Sequence, residues 1–172
     1  MILKEDSSEQ KLRGAYYTPL KLAKKMVDFF KDDLSIKSIL EPSCGDGVFV
    51  DALLESQFLS QHKRVTAIEI EKKEAEKLSE KLKDNSNIDV VNGDFFEFYH
   101  KHKDMDTYDL ILGNPPYIRY QYLEEKQRSE MAEILTRHGM KANKLINTWV
   151  GFMVACVHML SDNGKIAFVI PA

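Results

Sequence analysis

Residues 109–117 read Asp-Leu-Ile-Leu-Gly-Asn-Pro-Pro-Tyr, a short apolar run that stops at two consecutive prolines. Neither proline can donate to a sheet ladder or continue a helix, so the chain must leave a strand there in a fixed, extended shape. The constraint holds an amide side chain (Asn114), a backbone carbonyl (Pro115) and an aromatic ring (Tyr117) together at the strand's carboxyl end. Asn114 Oδ1 and the Pro115 carbonyl suit the two N–H bonds of an exocyclic amino group, and Tyr117 suits stacking on the ring that bears it. Taken alone, the same four residues are also those of a proline turn after a core strand.

The flanking pattern limits the fold. Thr18-Pro19 has the form of a helix start, with the hydroxyl as cap and proline at the first helical position. Leu22, Met26 and Phe30, with Ala23 and Val27 beside them, give an apolar face through about residue 31. Short strands follow at Ser38–Glu41, Arg64–Ile70, Ile88–Val91 and Tyr108–Leu112, separated by helices over Asp46 to about Leu59 and over Lys72–Lys83. Two more helices, at about 123–138 (ended by Gly139) and 146–160, lead to Lys165–Ile170, a strand expected to be buried on both faces. Strands alternating with helices predict an α/β fold with a parallel sheet of the doubly wound class.

The 172 residues suffice for one domain with a real core. No apolar run reaches the ~18–20 residues of a membrane span, and MILKEDSSEQ lacks the features of a signal peptide. Cys44 and Cys156 have no metal-ligand spacing and fit a reduced cytoplasm. A net charge of −3 gives no sign of a nucleic-acid partner. Residues 118–146 carry six Lys/Arg against four Glu, a mixture that ordinarily solvates a helix face. The chain stops directly after the fifth expected strand, which suggests a truncated domain.

In open parallel sheets, ligands bind beyond the carboxyl ends of the strands. Strand one runs into Glu41-Pro42-Ser43-Cys44-Gly45-Asp46-Gly47, whose glycines permit a tight turn and close approach, as any strand-to-helix glycine turn would. Strand two ends at Glu69, 22 residues beyond Gly47, near the ~20-residue spacing of a ribose-binding acid, although a solvated acid could stand there too. Strand three leads to Gly93-Asp94-Phe95-Phe96, where a carboxylate either accepts from an adenine amine or caps the short helix after it. Strand four delivers Asn114–Tyr117. Each signal is common on its own; their order is not.

In that order the chain resembles the gamma-type S-adenosylmethionine-dependent DNA N6-adenine methyltransferases, the methylases of restriction–modification systems. The matching motifs are Gly14-Ala15-Tyr16-Tyr17-Thr18-Pro19, the loop 41–47, Glu69, Asp94-Phe95, Asn114–Tyr117, Asn147-x-Trp149-x-x-Phe152 and Gly164–Ala172. The resemblance implies a Rossmann-like class I methyltransferase core spanning 1–172, with strand order 3-2-1-4-5 and helices on both faces, stopping before the last two strands. It implies S-adenosylmethionine as cofactor and no metal. Tyr16, Tyr17, Thr18 and the loop Glu41, Pro42, Ser43, Cys44 and Gly45 would hold its methionine end, and Glu69 its ribose, with Ile70 beside the adenine. Asp94 would read the adenine amine and Phe95 pack on the ring. Asn114 and Pro116 would face the transferred methyl, and Phe152 the sulfonium side. Asn114, Pro115 and Tyr117 would be catalytic, acting on an adenine flipped out of double-stranded DNA.

The implied setting is a prokaryotic cytoplasm, with a cognate restriction endonuclease as partner. The family's target-stacking motif and target-recognition domain have no counterpart here, so the chain is expected to bind cofactor but to methylate DNA poorly. Three other readings compete: a glutamine N5-methyltransferase acting on release factors, which also uses N-P-P-Y, a structural-RNA adenine or guanine methyltransferase, and a non-catalytic nucleotide-binding module. The segment Gly14–Pro19 separates the first of these, because it should sit against the cofactor only in the DNA enzyme.

Overall fold

A computed structural model describes residues 17–59, 62–143 and 145–170. Gly14, Ala15, Tyr16, Lys144, Pro171 and Ala172 lie outside the described residues. The elements in chain order are α1 (Leu20–Asp28), β1 (Ser38–Glu41), α2 (Val48–Glu55), β2 (Arg64–Glu69), α3 (Lys72–Lys81), β3 (Ile88–Asn92) and α4 (Phe95–His102). They continue with β4 (Tyr108–Gly113), a 3-10 turn at Tyr120–Tyr122, α5 (Glu125–Arg137), α6 (Thr148–His158) and β5 (Leu160–Phe168). All the strand pairings are parallel, in the order β3-β2-β1-β4-β5, the order that the resemblance implies.

Alternation along the central strands divides the core. Ile39, Leu110 and Leu112 face a cluster with Ala23, Val27, Phe49 and Leu53 from α1 and α2. Leu40 and Ile111, one residue out of phase, face Phe96, Tyr99, Met131 and Ile134 from α4 and α5. This period-2 reversal within fully buried strands is what lets helices cover both faces. Burying each such Leu or Ile contributes roughly 1.5–3 kcal/mol.

At the amino edge of the sheet, Asp109 gathers three elements. One oxygen accepts from the Lys37 amide (2.9 Å), the Ser38 amide (3.0 Å) and Ser38 Oγ (3.1 Å). The other accepts from Ser161 Oγ at 2.9 Å. These bonds hold the carboxyl below the usual range although burial opposes them.

Several expectations need correction. The cap of α1 is Pro19, whose carbonyl accepts from the amides of Leu22 (2.8 Å) and Ala23 (3.1 Å); Thr18 makes no cap bond. Its buried residues are Ala23 and Val27, with Phe30 buried just beyond its end, while Leu22 is 39% exposed. Helix α2 starts two residues later than expected, because Gly47 adopts a left-handed φ of 83°. Ile70 lies past the end of β2 and is exposed. The fifth strand begins at Leu160, pairing with Tyr108, and resumes pairing at Lys165 after an irregularity. Its residues are half-buried or exposed, since it is the outer strand beyond β4. Helix α5 does end as expected, at Gly139 with φ 76°.

Candidate active site

All four strand ends open into one cavity of about 610 Å³, within the ~300–1,000 Å³ usual for small-molecule sites. The backbone of the first loop is set by two left-handed glycines, Gly45 (φ 54°) and Gly47 (φ 83°). A Cβ on Gly47 would stand 2.5 Å from Leu78 Cδ1, so this turn packs directly on α3. The amide of Cys44 donates to the Ile68 carbonyl at 2.8 Å, tying the loop to β2.

Glu41 is 1% exposed, and its Oε2 is buried without a hydrogen-bond partner. Burial raises its pKa well above the usual carboxyl value, and the nearby negative charges of Asp46, Glu69 and Asp51 raise it further. Glu69, 7% exposed, takes the Gly45 amide on Oε2 (2.8 Å) and the Glu71 amide on Oε1 (2.7 Å). Burial raises its pKa, and those two amides work against the rise. Burial also pushes the Cys44 thiol far up, so it is a neutral wall atom and not a nucleophile.

Asp94 fills the capping role that its sequence context allowed, and its second oxygen lies at the cavity. Its Oδ1 caps α4 by accepting from the amides of Phe96 (2.8 Å) and Glu97 (3.3 Å). Its Oδ2 accepts from Gln127 Nε2 at 2.7 Å, and both residues line the cavity. Phe95 also lines it and leans on Phe152, ring centroids 4.6 Å apart at 33°.

Of the expected cofactor residues, Tyr17, Thr18, Glu41, Pro42, Ser43 and Cys44 line this cavity. So do Gly45, Glu69, Ile70, Asp94, Phe95, Asn114 and Pro116. Tyr16 lies outside the described residues. Tyr17 and Thr18, from the segment that separates the rival readings, lie at the cavity. Pro115 and Tyr117 are not part of the lining. The Tyr117 hydroxyl is 2.5 Å from the Val169 carbonyl and also within bonding reach of Asn114 Oδ1. One phenolic proton serves only one of these acceptors at a time.

Some contributors left little trace in the sequence. Gln127 meets a partner 33 residues earlier, and no local motif flags it. Glu124 also lines the cavity. Three of the six basic residues of 118–146 pair within the chain: Lys126 with Glu97, Arg137 with Glu133 at 3.0 Å, and Arg128 with the Leu123 carbonyl at 2.9 Å. Among the described lining residues, Glu41, Asp46, Glu69, Glu71, Glu74, Asp94 and Glu124 are acidic and none is Lys or Arg. Such a lining favours a ligand carrying positive charge and disfavours a polyphosphate.

The family described as Eco57I restriction-modification methylase matches residues 15–172. Type II methyltransferase M.AccI of Acinetobacter calcoaceticus is 30% identical over 157 residues, covering 91% of this chain and 27% of its own length. Type II methyltransferase M.HincII of Haemophilus influenzae is 30% identical over 166 residues, covering 96% of this chain and 29% of its own. The chain therefore spans less than a third of the length of either relative. The solved methyltransferase subunit of a type I restriction-modification system from Streptococcus thermophilus superposes with a TM-score of 0.67 at 18% identity. That match covers 89% of this chain and 34% of that one, and it is a likeness of fold. Among the described residues, no helix is long and apolar enough to cross a membrane.

Proposed function

The chain belongs to the Eco57I restriction-modification methylase family, and from that premise we propose that it carries the catalytic chemistry of a site-specific DNA adenine N6-methyltransferase. The observation that carries the proposal is the convergence of Glu41, Glu69, Asp94 and Asn114, from four successive strand ends, on one acidic cavity. The residues fit S-adenosylmethionine. Glu41, with a buried carboxylate oxygen lacking a partner, suits the ammonium of the methionine end, with Thr18 and the Pro42–Gly45 loop around it. Glu69 suits the ribose hydroxyls, and Asp94 and Phe95 suit the adenine. When bound, the cofactor supplies an electrophilic methyl group on a cationic sulfur, and a lining of carboxylates without described Lys or Arg suits that charge.

The residues after β4 act on the target. An adenine N6 lone pair is delocalised into its ring and is a weak nucleophile. Asn114 Oδ1 and the Pro115 carbonyl orient the amine and favour tetrahedral character as positive charge grows on nitrogen. Holding it in line supplies much of the rate by proximity. Reaching the base requires swinging it out of the duplex, and Tyr117 stacking returns about 1–3 kcal/mol of that cost. Double-stranded DNA is the substrate in this reading, in a prokaryotic cytoplasm and alongside a cognate restriction endonuclease.

Calorimetric titration of the chain with S-adenosylmethionine, with ATP as control, tests the proposal. One-to-one binding of the sulfonium ligand with none of ATP is expected. Equal binding of both, or none of the first by a folded chain, would overturn it.

A further inference from the structure

The segment between the N-P-P-Y turn and α6 contributes to the cofactor end of the cavity through one polar contact in particular. Both oxygens of Asp94 are engaged: Oδ1 by the Phe96 and Glu97 amides of its own helix start, and Oδ2 by Gln127 Nε2 at 2.7 Å. Such bonds fix the plane of the carboxylate. An ionised carboxylate offers about four acceptor sites on its two oxygens, so Oδ2 keeps a second lone pair after Gln127 has used the first. The neighbouring residue, Lys126, pairs with Glu97. Successive residues of the first turn of α5 are thereby strapped to the first turn of α4. Gln127 is half-buried and lines the same cavity as Asp94.

We propose that Gln127 is the positioning residue of the cofactor's adenine subsite: it holds Asp94 so that the free lone pair of Oδ2 meets a 6-amino group, and it thereby sets the preference for adenosine over a 6-oxo purine. The inference rests on the cofactor reading above. Gln127 acts through Asp94 and need not touch the transferred methyl. Lys126 and Glu130 of α5 interact electrostatically with Asp94, and Glu130 in turn with Glu97 and His100 of α4.

The test is calorimetric titration of the whole chain with S-adenosylhomocysteine and with S-inosylhomocysteine, which differ at the purine 6 position. The unaltered chain should prefer the adenosyl ligand by at least about tenfold, the scale of one hydrogen bond to a charged group. Gln127→Ala should lower adenosyl affinity about tenfold and leave inosyl affinity nearly unchanged, collapsing the ratio. Gln127→Glu supplies a readout that loss of packing would not move. At about pH 8 two adjacent carboxylates repel and binding weakens, whereas near pH 6 a shared proton restores a donor to Asp94 and binding recovers. An unchanged ratio in Gln127→Ala, with no pH dependence in Gln127→Glu, would overturn the role of Gln127 and leave the cofactor reading standing. An unaltered chain that fails to separate the two ligands would overturn the Asp94 reading itself, and this inference with it.

Discussion

On the β1–β3 side of the cavity, Glu41, Glu69 and Asp94 each bring a carboxylate; directly after β4, Asn114, Pro115 and Tyr117 bring only neutral groups. The carboxylates of Glu69 and Asp94 are each held by two backbone amides, and that of Glu41 is buried with an oxygen lacking a partner. In the proposed reading the first side retains a cation. The second then needs only to aim an uncharged amine and to tolerate charge appearing on it, so acceptors without formal charge suffice. Retention and chemistry are therefore separable by substitution.

The sharpest separation should come from Asn114→Ala. Single-turnover methyl transfer to a duplex with a mispaired adenine should fall on the order of 10²–10³-fold, the scale of one lost electrostatic contact to the reacting group. S-adenosylmethionine affinity should change by less than about tenfold. Equal losses in both measurements would erase the distinction between the two sides. On the other side, Asp94→Ala should weaken cofactor binding by roughly 10–100-fold, as expected for a charge-assisted hydrogen bond. It should also destabilise α4 by about 1 kcal/mol through the lost cap, a loss read by thermal unfolding.

Tyr117 allows a finer cut. Tyr117→Ala should slow methyl transfer by about tenfold, within the 1–3 kcal/mol of a base–aromatic stack, while Tyr117→Phe, which keeps the ring, should cost only about two- to threefold on that scale. If the two variants are equally impaired, the hydroxyl contact with Val169 matters more than the ring.

The smallest expected effect concerns the ligand-free fold. The pKa of Glu41 is raised on folding, so the native state binds its proton more tightly than the unfolded chain does. Stability from this group is then full below the unfolded carboxyl pKa and declines as pH rises toward the raised folded value. Glu69 is shifted in the same direction and adds to the trend. Glu41→Gln should flatten that slope and raise the melting temperature of the ligand-free chain at neutral pH by about 2–4 °C, while weakening cofactor binding. A steeper slope would show that the carboxyl has a stabilising partner when ionised.

The topology was legible because Pro42, Gly93 and Asn114-Pro115 end the first, third and fourth strands, and because helical periodicities fill the intervals between strands. Ala75 and Leu78 of α3, and Leu82 at its C-cap, lie inward as their spacing predicts. The start of β5 was not legible: Ser161-Asp162-Asn163-Gly164 has the composition of a turn, yet Leu160 before it already pairs with Tyr108. Thr18-Pro19 reads as a cap and its first helical residue, but the threonine is buried at the cavity and the proline carbonyl begins the helix. Asp94 could be read two ways; one oxygen caps the helix, and the other takes the Gln127 amide. Gln127 and Asp109 act across 33 residues and more than 50, and no window of local sequence contains such pairings.

The bond from Tyr117 to the Val169 carbonyl has a consequence in time. The carboxylates that would retain the cofactor are all in place by residue 94, but the acceptor that steadies the ring comes 75 residues later. At synthesis rates of about 5–20 residues per second, that separation amounts to roughly 4–15 s. A ribosome-bound chain thus holds every cofactor carboxylate before it can set Tyr117. In the proposed reading, the residues that recognise a small molecule are encoded ahead of the contact that steadies the ring acting on DNA.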